Sequence, residues 1–425
     1  MNILLMTNTY KPLVGGLERS IEAFALEFRR RGHRVIIVAP QFENMEPEQD
    51  VIRVPAVQHF NGTVFSVQLP DMGMVEEALG DFKPDIVHSQ HPFLVGDTAL
   101  RLAYRYRVPL IFTHHTLYEQ NTHYMSSDSD AMKRFVIQLS TGYANLADKV
   151  FAPSESVLQL IRERGVESPV EVVPTGIDLM RFAGGDRQRV LQRFGLPPDA
   201  FVLGHLGRLA PEKNLEFITE AAVLFLTRNK KAHFLVAGTG PSEAALETRF
   251  KEAGLFDRVR LIGSAEGPDL ADAYHAMDAF AFASQSETQG LVLIEAMACG
   301  VPVVGVDASG VRDVIRDKVN GRLVQQADTN DFVAAVEWVQ HRPRSEAETL
   351  RRACRMTAAD FSIQKCADRA LAAYGSIARD ETFMPKFSED SGWAQTMRAM
   401  HAHWDLAKNL GGAAVEAMRT EAPTG

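Results

Sequence analysis

Twelve short runs of nearly unbroken apolar residues punctuate this chain, separated by loops and helical stretches. Six lie in the first 176 positions: Ile3 to Met6, VIIVAP, DIVHS near Asp85, PLIFTHH near Leu110, KVFAPS near Val150 and VEVVPTG near Val172. Six more follow from residue 201: FVLGHLGRL, AHFLVAGTG, RVRLIG, AFAFAS, PVVGV and GRLV. A strand buried on one face alternates apolar and polar residues; one that is apolar throughout is covered on both faces, as in a parallel sheet flanked by helices. The first loop, TNTYKPLVGGLERS, leads into an amphipathic segment that runs to Arg31 and stops at Gly32 before the second run. That is the β-loop-α-β unit of a doubly wound sheet.

Between the two sets, RFAGGDRQRVLQRFGLPPDA is rich in Gly, Pro and charge. The expectation is therefore an α/β protein with two tandem Rossmann-like doubly wound domains facing a cleft. The expected boundaries are 1–180 for the first domain, 181–198 for a linker and 199–360 for the second. Residues 361–425 are expected as C-terminal helices crossing back to the first domain, with a polar tail after Met384.

The length fits this division, since 425 residues exceed one ordinary core. The apolar and charged fractions, 46% and 23%, are those of a globular protein. No run approaches the roughly 20 apolar residues of a membrane span, and MNILLMTNTY lacks signal-peptide character. The three cysteines, Cys299, Cys354 and Cys366, show no metal-ligand spacing, which points to a reducing cytoplasm. A net charge of −9 argues against a nucleic-acid partner.

Parallel sheets bind ligands beyond the carboxyl ends of their strands, so the loops there carry the chemistry. Gly15 and Gly16 precede a helix expected near Leu17, an arrangement that turns backbone N–H groups toward an anion or forms a simple turn. It is not a GxGxxG fingerprint, so a dinucleotide cofactor is not implied. Arg208 and Lys213 stand five apart after a buried strand, either gripping a phosphate pair or remaining solvated. Gly238 and Gly240, in GTGP, offer backbone donors at the next strand end.

The stretch SETQGLVLIEAMACG places Glu287 in a strand-to-helix loop and Glu295 more than a turn into the helix. The free amides at Gly290, Leu291 and Val292 suit a phosphate, and Glu295 a vicinal diol such as a ribose. Glu287 suits a sugar. Ion pairs and ordinary loop carboxylates are the competing readings.

In this order, GGLERS, THHT, VPTGID, GRLAPEKN, GTGP and the E-x7-E stretch SETQGLVLIE resemble the retaining family 4 glycosyltransferases of the GT-B fold. The resemblance covers roughly residues 1 to 380. It implies a nucleotide-sugar donor on the second domain, an acceptor on the first and no required cofactor. It implies that Arg208 and Lys213 neutralise the diphosphate, that Glu287 faces the donor sugar and that Glu295 holds the ribose. It places Gly290, Leu291 and Val292 on the phosphates, with Gly16 approaching from the other domain, and the base near Ile262 and Gly263. His115 matches a histidine at the reaction centre, and adjacent extended residues point oppositely, so His114 faces away. His88, His91 and His123 leave a structural metal as the lesser alternative.

FTHHTLYEQNTHY together with SETQGLV looks most like the subgroup that glucosylates diacylglycerol or related lipids, which uses UDP-glucose at the cytoplasmic membrane face. GDP-mannose with a phosphoinositide, or a soluble glycan acceptor, is the alternative within the family; a sugar-nucleotide epimerase is a weaker one. Arg101, Arg105, Arg107, Lys133 and Arg134 lie near apolar residues and read either as a docking face for anionic lipid or as solvated helix faces. Trp393, Met397, Met400, Trp404 and Leu410 recur at near-helical spacing, suiting a membrane surface or docking on the first domain.

Overall fold

A computed structural model describes residues 1–13, 15–42, 45–57, 67–68, 72–120, 129–378, 383 and 386. His123, Trp393, Met397, Met400, Trp404 and Leu410 lie outside them.

The first unit contains β1 (Asn2–Met6), α1 (Gly16–Arg30), β2 (Arg34–Pro40), β3 (Val51–Val54), the short antiparallel pair β4 (Ala56–Val57) and β5 (Val67–Gln68), and α2 (Met72–Leu79). It continues through β6 (Ile86–Ser89), α3 (Val95–Tyr106), β7 (Leu110–Thr113), α4 (Asp130–Leu146), β8 (Lys149–Ala152), α5 (Glu155–Glu163) and β9 (Val170–Val172). Seven of these strands form a parallel sheet in the order β3-β2-β1-β6-β7-β8-β9.

The second unit contains α6 (Arg187–Arg193), β10 (Phe201–Leu206), α7 (Leu215–Arg228), β11 (Ala232–Ala237), α8 (Glu243–Glu252), β12 (Val259–Leu261) and α9 (Gly267–Ala276). Then come β13 (Ala279–Phe282), α10 (Leu291–Ala298), β14 (Val303–Val306), β15 (Gly321–Val324), α11 (Thr329–Gln340), α12 (Arg344–Asp360) and α13 (Ile363–Ala378). Its six-stranded sheet is also parallel, in the order β12-β11-β10-β13-β14-β15.

The unbroken apolar runs are explained by burial on both sheet faces. In β1, Ile3 and Leu5 pack with Ile21, Ala25 and Phe28 of α1, while Leu4 and Met6 join Val75, Ala99 and Leu102 on the opposite face. The edge strand β3 has no such run, because Arg53 interrupts it; that side chain instead donates to the carbonyls of Lys11 and Pro40. Residues 181–198, expected as a linker, hold α6, whose Val190 and Leu191 are buried in the core of the second unit.

Two chain segments join the units, and they run side by side. Ile177 N donates to Phe361 O and Ile363 N to Ile177 O, each at 2.9 Å. The approach is so close that a Cβ on Gly176 would lie 2.4 Å from the Ile363 Cα. Beyond this crossing α13 packs on α1, its Ala367, Ala370 and Ala373 admitting close helix contact, and Tyr374 stacks over Phe151 at 5.8 Å. Among the described residues no helix is long and apolar enough to cross a membrane.

Candidate active site

The carboxyl ends of both sheets face each other, and the expected site residues come from the loops at those ends. After β13 the chain turns through Gly290, whose φ of +72° only glycine adopts readily, and enters α10. The first amides of that helix have no acceptor within it and form its positive end. From the other unit, Gly16 opens α1, and a Cβ there would stand 3.6 Å from the Leu291 side chain. Two helix N-termini therefore meet across the cleft.

Lys213 Nζ donates to Glu287 Oε1 at 2.6 Å, so the expected diphosphate cation and the expected sugar-facing carboxylate form one ion pair. Arg208 is half-exposed, with Nη1 3.9 Å from Glu212 Oε1. The loops around them are laced together by backbone contacts. Gly238 N donates to Gly263 O at 2.7 Å, and a Cβ on Gly238 would meet Gly207 O at 1.9 Å. Ile262 N bonds Val236 O, which sets Ile262 and Gly263 at the mouth of the same sheet.

Glu295 is buried in the second turn of α10. Its Oε2 accepts from the Tyr274 hydroxyl at 2.8 Å, and its Oε1 from Arg19 Nη1 at 3.3 Å, across the cleft. Burial raises its pKa above the ordinary carboxylate range, and the Arg19 charge opposes that rise. Neither Arg19 nor Tyr274 was identified from sequence. The first lies in GGLERS, a segment marked only for its glycines, and the second on an unremarkable helix face.

His115 Nε2 bonds Gln90 Oε1 at 2.7 Å, and its carbonyl accepts from Thr288 Oγ1 at 2.9 Å, in the loop between the two glutamates. Burial, reinforced by the neighbouring His91, His88 and His114, depresses its pKa well below the ordinary imidazole value. It is a neutral ring at pH 7. His114 packs edge-on against Phe112 and Tyr118 in the interior. His88 spends both ring nitrogens, on the Tyr374 hydroxyl and on Thr113 Oγ1, each at 2.7 Å, and His91 Nδ1 accepts from Asn8 N. Those bonds give His88 and His91 structural partners in place of a metal ion. Among the described residues no group of three His, Cys, Asp or Glu is placed to hold one.

Further bonds close the cleft. Thr175 N donates to Gln289 Oε1 at 2.7 Å and Gln289 Nε2 to Thr175 O at 2.8 Å, while Thr175 Oγ1 donates to Ser20 Oγ at 2.9 Å. Asp313 accepts from both the amide and the hydroxyl of Ser156, at the start of α5.

Two Rossmann-like units closing on opposed helix N-termini, with cations and carboxylates between them, are the GT-B glycosyltransferase fold. The model of Glycosyltransferase Family 4 matches residues 14–181, and that of Glycosyl transferases group 1 matches residues 186–357. The alpha-monoglucosyldiacylglycerol synthase of Streptococcus pneumoniae is 31% identical over 330 residues, 76% of this chain and 75% of that protein. The GDP-mannose-dependent alpha-mannosyltransferase of Mycobacterium tuberculosis is 30% identical over 332 residues, 76% of this chain and 84% of that protein. The structure of Anabaena Alr3699/HepE in complex with UDP has a TM-score of 0.73 at 20% identity, covering 88% of this chain and 100% of that one. The chain belongs to glycosyltransferase family 4, and it is a glycosyltransferase.

Proposed function

We propose that this protein is a retaining hexosyltransferase that moves glucose from UDP-glucose to diacylglycerol or a related lipid at the cytoplasmic face of a membrane. The observation that carries the donor side is the convergence of Lys213, Glu287, buried Glu295 and the first turns of α1 and α10 on one cleft. In this reading Glu295 accepts from the ribose hydroxyls and Glu287 from the donor sugar. The Lys213 ammonium has three N–H donors, so it can keep Glu287 while facing a phosphate. Arg208, Lys213 and the helix N-termini stabilise the charge that grows on the departing diphosphate. The acceptor hydroxyl oxygen bonds to C1 on the face from which the diphosphate leaves. The C1–O bond to phosphate breaks, and the diphosphate departs with its electron pair and takes the hydroxyl proton. Neutral His115 lines this centre, and closure of the two units excludes water.

The lipid acceptor is supported by the Streptococcus relative, whose name states that activity. On α4, Phe135 is 49% exposed beside exposed Arg134, which suits contact with an anionic surface. Arg101 and Arg105 contribute less, since Arg101 pairs with Asp97 at 2.8 Å and Arg105 with Glu76. The Mycobacterium relative supports a second reading, in which GDP-mannose is the donor. A screen of UDP-glucose and GDP-mannose against a bacterial lipid extract, with products read by mass, separates them. A hexosyl-lipid formed from UDP-glucose alone supports the first reading. Product from GDP-mannose alone supports the second, and release of an isomerised sugar nucleotide or free sugar without any glycoside contradicts both.

A further inference from the structure

We propose that Gln289 is a positioning residue for sugar transfer: it fixes the loop carrying Glu287 onto the acceptor unit. The proposal rests on reading Glu287 and Lys213 as the donor-facing pair. Most groups assigned to the donor, Arg208, Lys213, Glu287, Glu295 and the α10 N-terminus, belong to the second unit, whereas His115 and Gly16, which approaches the phosphates, belong to the first. Binding a nucleotide draws mainly on one unit, but transfer requires both in register.

Three hydrogen bonds tie the 286–290 loop to the first unit. Thr288 Oγ1 donates to the His115 carbonyl, and the Gln289 amide makes the two bonds to the Thr175 backbone. Gln289 is 4% exposed, and each of its polar atoms has a partner on that one residue. An amide that accepts from the N–H and donates to the C=O of one residue copies a strand-pairing contact and permits one orientation. Only a side chain with both a donor and an acceptor can do this, so glutamate in its place would keep the first bond and set two oxygens against each other. Thr175 continues the link through Ser20 Oγ into α1, the helix that Gly16 opens. The connection therefore runs from the carboxylate loop of one unit to the helix N-terminus of the other. Gly310 supports the loop from behind, where a Cβ would come within 2.7 Å of Gln289 N.

Releasing this contact leaves the donor groups intact and lets the units part. Water then competes with the acceptor: its oxygen bonds to C1, the C1–O bond to diphosphate breaks, and the water proton passes to the diphosphate. The test compares full-length wild type with Gln289→Met, which keeps the volume and loses both bonds, and with Gln289→Glu. UDP and GDP affinities are measured by calorimetry. Product partition is measured with UDP-glucose or GDP-mannose, whichever the wild type turns over, and the lipid extract in which it forms glycoside. For both variants we expect nucleotide affinity to stay within about threefold of wild type, transfer to fall on the order of tenfold, and the ratio of free sugar to glycoside to rise. A merely structural role would move melting temperature without moving that ratio. Wild-type transfer and partition in Gln289→Met would overturn the proposal, as would a loss of nucleotide affinity equal to the loss of transfer. A wild type that binds neither nucleotide defeats the donor-site reading itself, and this role with it.

Discussion

Arg19 on α1 reaches Glu295 on α10 across the cleft at 3.3 Å, a contact between residues 276 positions apart. Glu295 is almost fully buried while Arg19 keeps about a third of its side chain exposed. The pair therefore does little to hold the units together, because an arginine that retains water gains little from pairing. Its consequence is electrostatic: a cation from the first unit opposes the neutralisation that burial imposes on the carboxylate.

In the donor site proposed above, Glu295 accepts from two ribose hydroxyls, which requires the ionised carboxylate. Glu295→Gln keeps the shape and replaces one acceptor oxygen with a donor, so donor KM is expected to rise at least about tenfold, the cost of one misdirected charged hydrogen bond. Steady-state kinetics at saturating acceptor measure this. An unchanged donor KM would remove Glu295 from the donor site.

Because burial raises the Glu295 pKa in the fold, the native protein holds that proton at pH values where the unfolded chain has lost it. This contribution to stability is present below the unfolded pKa and is lost as pH rises through the folded one. With Glu295 on the ribose, as proposed, donor affinity is expected to run the opposite way, increasing with pH over the same window. Calorimetric titrations of UDP and GDP across that range should show the rise in wild type and its absence in Glu295→Gln.

The buried histidines act in the other direction. Burial lowers His88 and His91 to about 3 and His114 and His205 to about 4, and His115 well below its ordinary value. Below the unfolded value of roughly 6.5 the unfolded chain binds protons that the native chain refuses. Stability is thus present above that pH and lost as pH falls from there toward 4, by up to about 1.4 kcal/mol per pH unit for each histidine. Denaturant melts at stepped pH values give the slope, and a flat profile between pH 6.5 and 5 would contradict the burial of these rings.

The central strands were legible because they are apolar on both faces; β9, β12 and β15 were read from shorter runs despite Glu171, Arg260 and Arg322, whereas Arg53 breaks the run of β3, which was missed. Local rules account for two features of the loops: Gly290 adopts a φ of +72°, and Arg208 and Lys213 follow the buried end of β10. What stayed hidden depends on the approach of distant segments. Nothing near Gln90 announces its bond to His115, and nothing near Tyr274 announces Glu295. Gln289 and Thr175 are 114 residues apart and meet only once two sheets have closed.

The paired crossing should be intolerant of bulk. Gly176→Ala drives a Cβ against backbone at 2.4 Å, where no side chain can yield. A loss of about 1–3 kcal/mol in unfolding free energy is expected, as for overpacking in an interior. Chemical denaturation measures it, and wild-type stability would mean that the two segments can separate without cost.

Arg208, Lys213 and the α10 N-terminus are proposed to receive a diphosphate that leaves from a sugar. Calorimetry of wild type and Lys213→Ala with UDP, GDP and their sugars tests it most directly when paired with turnover. Wild type is expected to bind at least one of these nucleotides at one site. Lys213→Ala is expected to transfer sugar about 10²–10³-fold more slowly, as for loss of a charge-stabilising donor. A wild-type protein that binds none of them, or a Lys213→Ala variant with normal turnover, would contradict it.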